Sequence, residues 1–234
     1  MPFEERRTST RARIIKHGLK LFLDEGYSAT TVNKIAKQLK LSPGNITFYF
    51  PTKEHLLDVL VVELFAFLSK LMDEEIQEGY TSLMSYCLEL AAVASICEED
   101  EKARDFYLSI YTSPMTFNRI RTSDVERMKK IFGEYCENWT DIQWREAENI
   151  VSGIEYATIA TRERETPLDI QISGALNVIM LLFGVPEDTR KKKIEKVLSV
   201  DYRAIGRKVL HEFREYANQT NKKALQVAKK RTNK

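Results

Sequence analysis

Glycine and proline are scarce in this chain, nine and six in 234 residues. Sheet-rich folds need turn residues every few positions, so a charged sequence this poor in them favours long helices. An all-α fold is expected. Cysteine is scarcer still: Cys87, Cys97 and Cys136 are odd in number and lie inside apolar helical patterns, as reduced, packed thiols do. Long hydrophobic runs are missing too. The most apolar stretch, Leu168 to Pro186, is interrupted by Asp169, Gln171 and Asn177, which suits a buried helix better than a membrane span. The first residues, Met1-Pro2-Phe3-Glu4-Glu5-Arg6-Arg7, have no apolar segment of the signal-peptide kind, so a cytoplasmic protein with no membrane partner is expected.

Catalytic signatures are missing as well. His17, His55 and His211 are scattered, with no His-Glu-x-x-His pair to hold zinc, and no two glycines lie close enough for a phosphate loop or a dinucleotide fingerprint. Acidic residues are abundant but read as charged helical faces, where solvation is the usual role. No catalytic residue, metal ligand or cofactor is expected.

Charge is present but unevenly placed. Residues 1–53 hold ten Lys/Arg against four Asp/Glu, residues 54–217 hold 20 against 30, and the last 17 residues hold six basic side chains and no acidic one. A basic head on an acidic body points to a polyanion bound at one end, although a solvated basic face has the same composition.

Behind the cap candidates Thr8-Ser9-Thr10, apolar residues Ala12, Ile15, Leu19 and Phe22 recur at helical spacing until Gly26. Thr30 or Thr31 can cap a short helix carrying Val32, Ile35, Ala36 and Leu39 inward. Ser42-Pro43 starts another through Phe50, and Pro51-Thr52 leads into a long helix from Lys53 to about Gln77. Further helices are expected near 80–97, 101–112, 117–138, 141–163, 168–184 and 189–217, and the polar, basic stretch from Asn218 reads as a flexible tail. The expected organisation is a three-helix head (1–53), a larger helical body (54–217) and a tail (218–234).

Two short helices joined by a tight turn, with the small Ala36 at their crossing, have the form of a helix-turn-helix. The second helix then presents Asn45, Thr47 and Phe48, with Pro43 and Gly44 at its N-terminal end, to a major groove. Asn can bond adenine or a phosphate, and Thr offers a hydroxyl together with a methyl for thymine. A helical hairpin that merely packs has the same pattern.

From Arg11 to Val62 the sequence resembles the DNA-binding domain of the TetR family of repressors. The matching stretches are Ile14 to Gly26, Thr31-Val32-Asn33-Lys34-Ile35-Ala36, Leu41-Ser42-Pro43-Gly44-Asn45-Ile46, Phe48-Tyr49-Phe50 and Lys53-Glu54-His55-Leu56-Leu57. The resemblance implies that Thr31 and Lys53 hold phosphates and that Asn33 contacts a base or phosphate. It implies that Ser42, Pro43, Gly44, Asn45, Thr47 and Phe48 face the DNA, with Tyr49 beside the backbone. Thr47 stands where the family commonly has tyrosine, Tyr49 where it has histidine, and Lys40 where its turn often has glycine.

The resemblance further implies a homodimer on double-stranded operator DNA and a body with a cavity for a small-molecule effector. Tyr86, Phe106, Tyr107, Tyr111, Trp144 and Tyr156 are candidate pocket residues, because aromatic groups with polar tips line mixed cavities; ordinary core packing is the competing reading. The expected dimer surface runs through Ile172, Ala175, Leu176, Ile179, Leu182 and Phe183, with small residues such as Gly153 and Gly174 allowing close approach; burial of the same surface within the monomer is the competing reading. An activator and a DNA-binding protein without an effector are alternative readings of the same head, and an all-helical enzyme is a remote one.

Overall fold

The computed structural model describes residues 3–75, 81–161 and 166–232. Its order is α1 (Phe3–Glu25), α2 (Val32–Leu39), α3 (Pro43–Tyr49), α4 (Lys53–Glu75), α5 (Ser82–Glu99) and α6 (Glu101–Thr112), followed by α7 (Pro114–Phe132), α8 (Asp141–Ala160), α9 (Leu168–Leu182), α10 (Glu187–Ser199) and α11 (Tyr202–Thr232). No strand occurs among the described residues, and no helix there is long and apolar enough to cross a membrane.

Local capping chemistry explains most helix starts. The Thr31 hydroxyl accepts the Lys34 N–H at 3.2 Å, and the Ser42 hydroxyl accepts the Asn45 N–H at 3.2 Å, with Pro43 in the first turn of α3. Helix α1 begins at Phe3 rather than behind Thr8-Ser9-Thr10. Helix α7 begins at Pro114, whose fixed φ fits a first turn, and not at 117.

The single helix expected over 189–217 is two, because Asp201 caps α11 by accepting the Ala204 N–H at 2.9 Å. Helix α11 then runs to Thr232, so the stretch from Asn218 that composition marks as a flexible tail is helical that far. Its Lys, Ala, Gln, Leu and Arg are good helix formers. The expected helix ends at Gln77, Tyr80 and Glu163 lie outside the described residues.

Helix α5 is the hub of the body, packed against α6, α8, α9, α10 and α11. Gly206 lets α11 lie close on it: a Cβ there would sit 2.8 Å from the Ala92 carbonyl oxygen. Helix α9 is wedged among α5, α8 and α10, so Ile172, Ala175, Leu176, Ile179 and Phe183 are buried within the protomer instead of forming a partner surface. What α8 and α9 turn outward is their other side, with Ile142, Ile150, Ile170, Val178 and Leu181 exposed. Gly153 and Gly174 have open space where a Cβ would stand.

The turn between α2 and α3 is a left-handed helix end closed by two hydrogen bonds, Lys40 N–H to the Lys37 carbonyl at 3.2 Å and Leu41 N–H to the Ala36 carbonyl at 2.9 Å. Lys40 sits at φ 55°, ψ 42°, with its side chain exposed. A residue with a Cβ is strained there. Replacing it, Lys40→Gly, is expected to raise the free energy of unfolding by about 1 kcal/mol in chemical denaturation; a variant no more stable than wild type would contradict the strain.

Candidate nucleic-acid interface and body cavity

The crossing of α2 and α3 buries Ala36 and Ile46, and this fixes which side of α3 faces water. Thr31, Asn33, Ser42, Pro43, Gly44, Asn45, Thr47 and Phe48 are exposed, Phe48 to 63%, while Tyr49 and Lys53 are half-buried. All ten residues drawn from the sequence therefore belong to one module. The Phe48 and Tyr49 rings meet edge to face at 5.1 Å. The Thr47 hydroxyl donates to the carbonyls of Pro43 and Gly44, both at 3.3 Å. Lys53, the first residue of α4, donates to the Tyr27 carbonyl at 2.9 Å with its ammonium 3.9 Å from the Tyr27 ring centroid. Burial there lowers the Lys53 pKa.

The head is tied to the body at the end of α1. Gly26 takes φ 95°, and Ser28 then donates its N–H and its hydroxyl to the two oxygens of Asp105 on α6, at 2.7 and 2.6 Å. A Cβ on Gly26 would lie 2.9 Å from that carboxylate. From α11, Arg214 donates to the Leu23 carbonyl at 3.0 Å and to Asp100 at 2.8 Å. Arg119 of α7 grips Asp58 of α4 through two nitrogens.

A cavity of about 50 Å³ lies between α4, α5, α6, α7 and α8. Phe65 and Leu68 of α4 form part of its wall, and Tyr86, Tyr107 and Tyr111 form another part. Its polar lining is Glu89, Asp124, Arg127 and Glu155. Arg127 holds Glu89 through both terminal nitrogens, one of these bonds measuring 3.1 Å. Glu155 accepts the hydroxyls of Tyr86 at 2.8 Å and Tyr111 at 3.1 Å. Close by, buried Glu148 accepts the Ser152 hydroxyl at 2.9 Å through one oxygen, and the other has no hydrogen-bond partner. Burial, reinforced by the neighbouring carboxylates, pushes Asp124 up to about 6, Glu155 to about 7 and Glu148 to about 9.

Of the six aromatic candidates, Tyr86, Tyr107 and Tyr111 come together on the cavity. Phe106 is core, 6.1 Å from the Phe22 ring across the head–body junction. Trp144 stacks on Phe183 at 5.7 Å beside Trp139, and Tyr156 is 40% exposed with its ring 6.3 Å from Tyr111. The acidic cavity residues do not sit on solvated faces, contrary to the composition-based expectation. Two signals mark them: Glu89 is the lone acid in the apolar run Leu83 to Cys97, and Glu148 and Glu155 share a helical stripe with Trp144, Val151 and Ile159.

Folding raises the Glu148 pKa from 4.5 to about 9, so the folded chain binds that proton more tightly than the unfolded one. Stability from this group is full at low pH and is lost as pH climbs through that window. Glu148→Gln keeps the bond from Ser152 and removes the titration. Its melting temperature is expected to fall less than that of wild type between about pH 5 and about pH 9. An unaltered pH profile would mean that folding does not shift the Glu148 pKa.

Residues 14–60 match the tetR family of bacterial regulatory proteins. The Fatty acid metabolism regulator protein of Bacillus subtilis (strain 168) is 26% identical over 198 residues, which is 85% of this chain and 90% of that protein. The chain is similar in fold to the ligand-free crystal structure of RolR, with a TM-score of 0.57 at 16% identity, covering 79% of this chain and 96% of RolR. It is similar as well to Thermus thermophilus FadR, a TetR family transcriptional repressor in complex with lauroyl-CoA, with a TM-score of 0.51 at 18% identity, covering 73% of this chain and 93% of FadR. Helix-turn-helix geometry and matched sequence agree over the head: residues 14–60 are a DNA-binding segment of the tetR kind, joined to an all-helical body.

Proposed function

We propose that this protein is a repressor whose homodimer grips operator DNA with two heads and lets go when a small, partly apolar molecule enters the body cavity. One observation carries the reading. Helix α4 begins with Lys53 on the DNA-facing module and, twelve residues or about 18 Å further along its axis, contributes Phe65 and Leu68 to the cavity wall. A ligand that displaces this wall moves the base of the head. Thermus thermophilus FadR holds lauroyl-CoA, which supports a ligand-binding role for a body of this fold.

In this reading residues 1–53 bind DNA, 54–217 bind the effector and the partner copy, and 218–234 extend the basic end. Thr31 and Lys53 take phosphates, Asn33 a base or phosphate, and Ser42, Pro43, Gly44, Asn45, Thr47 and Phe48 face the groove beside Tyr49. The protein works in the cytoplasm as a binding protein and not as a catalyst. The outward apolar side of α8 and α9, with Ile142 at 71% and Ile170 at 62% exposure, supports pairing of two copies around a two-fold axis. One recognition helix reads too few base pairs to select a genomic site alone.

Operator fragments selected from a pool of random duplexes provide the test. Lys53→Ala is expected to weaken binding to all duplexes alike and to reduce the slope of log affinity against log salt by about 1, whereas Asn45→Ala changes preference among duplexes by about 1–3 kcal/mol. A reversed pattern would reject the docking arrangement. For the dimer, light scattering at micromolar concentration is expected to give twice the chain mass, and Ile170→Asp is expected to shift it towards monomer. A monomer protecting one asymmetric half-site would reject pairing.

A further inference from the structure

We infer that the body cavity receives the charged end of an organic ammonium ion with an apolar tail; this rests on the ligand-responsive reading above and names the ligand class. Three carboxylates, Glu89, Asp124 and Glu155, share the cavity with one guanidinium, and both terminal nitrogens of Arg127 are engaged by Glu89. Asp124 and Glu155 therefore share with Glu89 a single cation whose hydrogen bonds go to Glu89. The Tyr86 and Tyr111 hydroxyls hold both oxygens of Glu155 in place, so its charge is fixed in position. Tyr107 supplies a separate observation. It is only 5% exposed, it lines the same cavity, and its hydroxyl makes no hydrogen bond among the described residues.

A protonated amine satisfies all three groups. Its N–H donors can meet the two carboxylates and the phenol oxygen, while the tyrosine and Phe65 rings offer faces that attract a cation. A carboxylate or phosphate would instead be brought against Asp124 and Glu155. A volume of about 50 Å³ suits a head group and not a whole tail, so the tail must part Phe65 and Leu68 of α4 from the helices opposite. That displacement acts on the helix that starts at Lys53.

Dodecylammonium, dodecan-1-ol and dodecanoate share one apolar body and differ in head charge. Calorimetric titration of the full chain with each, below its micelle-forming concentration, is expected to give at least tenfold tighter binding for dodecylammonium than for dodecanoate. Glu155→Gln, which keeps an acceptor for the two tyrosines, and Asp124→Asn as a second variant are each expected to weaken dodecylammonium at least tenfold and leave dodecan-1-ol unchanged. Groups facing the site are Tyr86 and Glu89 from α5, Tyr107 and Tyr111 from α6, Asp124 and Arg127 from α7, and Glu148 from α8. Because burial pushes Glu155 up to about 7, dodecylammonium affinity should rise as pH passes through that value, with dodecan-1-ol flat. Equal or tighter binding of dodecanoate, no binding of dodecylammonium, or indifference of both variants would overturn the inference. Release from selected operator duplexes separates the two levels. Release by dodecanoate or lauroyl-CoA with no dodecylammonium binding overturns the ammonium site and keeps ligand response. Dodecylammonium bound in the cavity with DNA still held keeps the site and overturns the release mechanism.

Discussion

The grip of Asp105 on Ser28 fixes the turn that joins the head to the body. Helices α2 and α3 pack on each other, and α2 packs on α1, so their orientation is set by the turn that leaves α1 and by the start of α4. At that turn Asp105 accepts two hydrogen bonds from one residue, Tyr27 offers its carbonyl to Lys53, and the Tyr27 hydroxyl donates to Glu54 at 3.2 Å. Hydrogen bonds to charged groups contribute about 1.5–3 kcal/mol each where water is excluded, and less at an exposed residue such as Ser28. Gly26 is required because its φ is positive and because a Cβ would press on the same carboxylate. The junction is thus specific in geometry and modest in energy.

The body concentrates its unfavourable electrostatics in one place. Four acids, Glu89, Asp124, Glu148 and Glu155, surround one guanidinium, and desolvation leaves three of them harder to ionise than in water. An apolar core of equal volume would be at least as stable. Burial of this kind persists where a site needs it, and the polar groups here converge on a cavity whose opposite wall is the helix leading to the head.

The head was largely legible in the sequence because short-range rules determine it. Thr31 and Ser42-Pro43 announce two helix starts, Gly26 a stop, and Ala36 a close crossing, each within a few residues of what it controls. Lys40 was legible as a left-handed residue only through the family's habit of placing glycine there. In the body, most helix positions were readable but one helix break and the helix faces were not. Helix α9 is apolar nearly all round, so Ile170 and Ile172 look alike in sequence although one is exposed and the other buried. Ring type likewise carries no depth: Tyr107 reaches the cavity while its neighbour Phe106 belongs to the junction core. The split at Asp201 was missed because a lone Asp between two charged helices reads as one more solvated side chain until its cap is seen.

Small cavity and modest junction fit together quantitatively. A ligand that prefers the released form 100-fold supplies roughly 2.7 kcal/mol of coupling. That is the size of one or two hydrogen bonds to a charged group, of the kind Asp105 makes with Ser28. A cavity already wide enough for a whole ligand would accept it without moving α4, and binding would then favour neither conformation. At about 50 Å³ the site has room for a head group and not for a whole ligand, so on the proposed reading the rest of the ligand presses on a wall that includes Phe65 and Leu68 of α4. On that reading the small cavity is the source of the signal, and α4, which runs from the cavity wall to Lys53, carries it to the head.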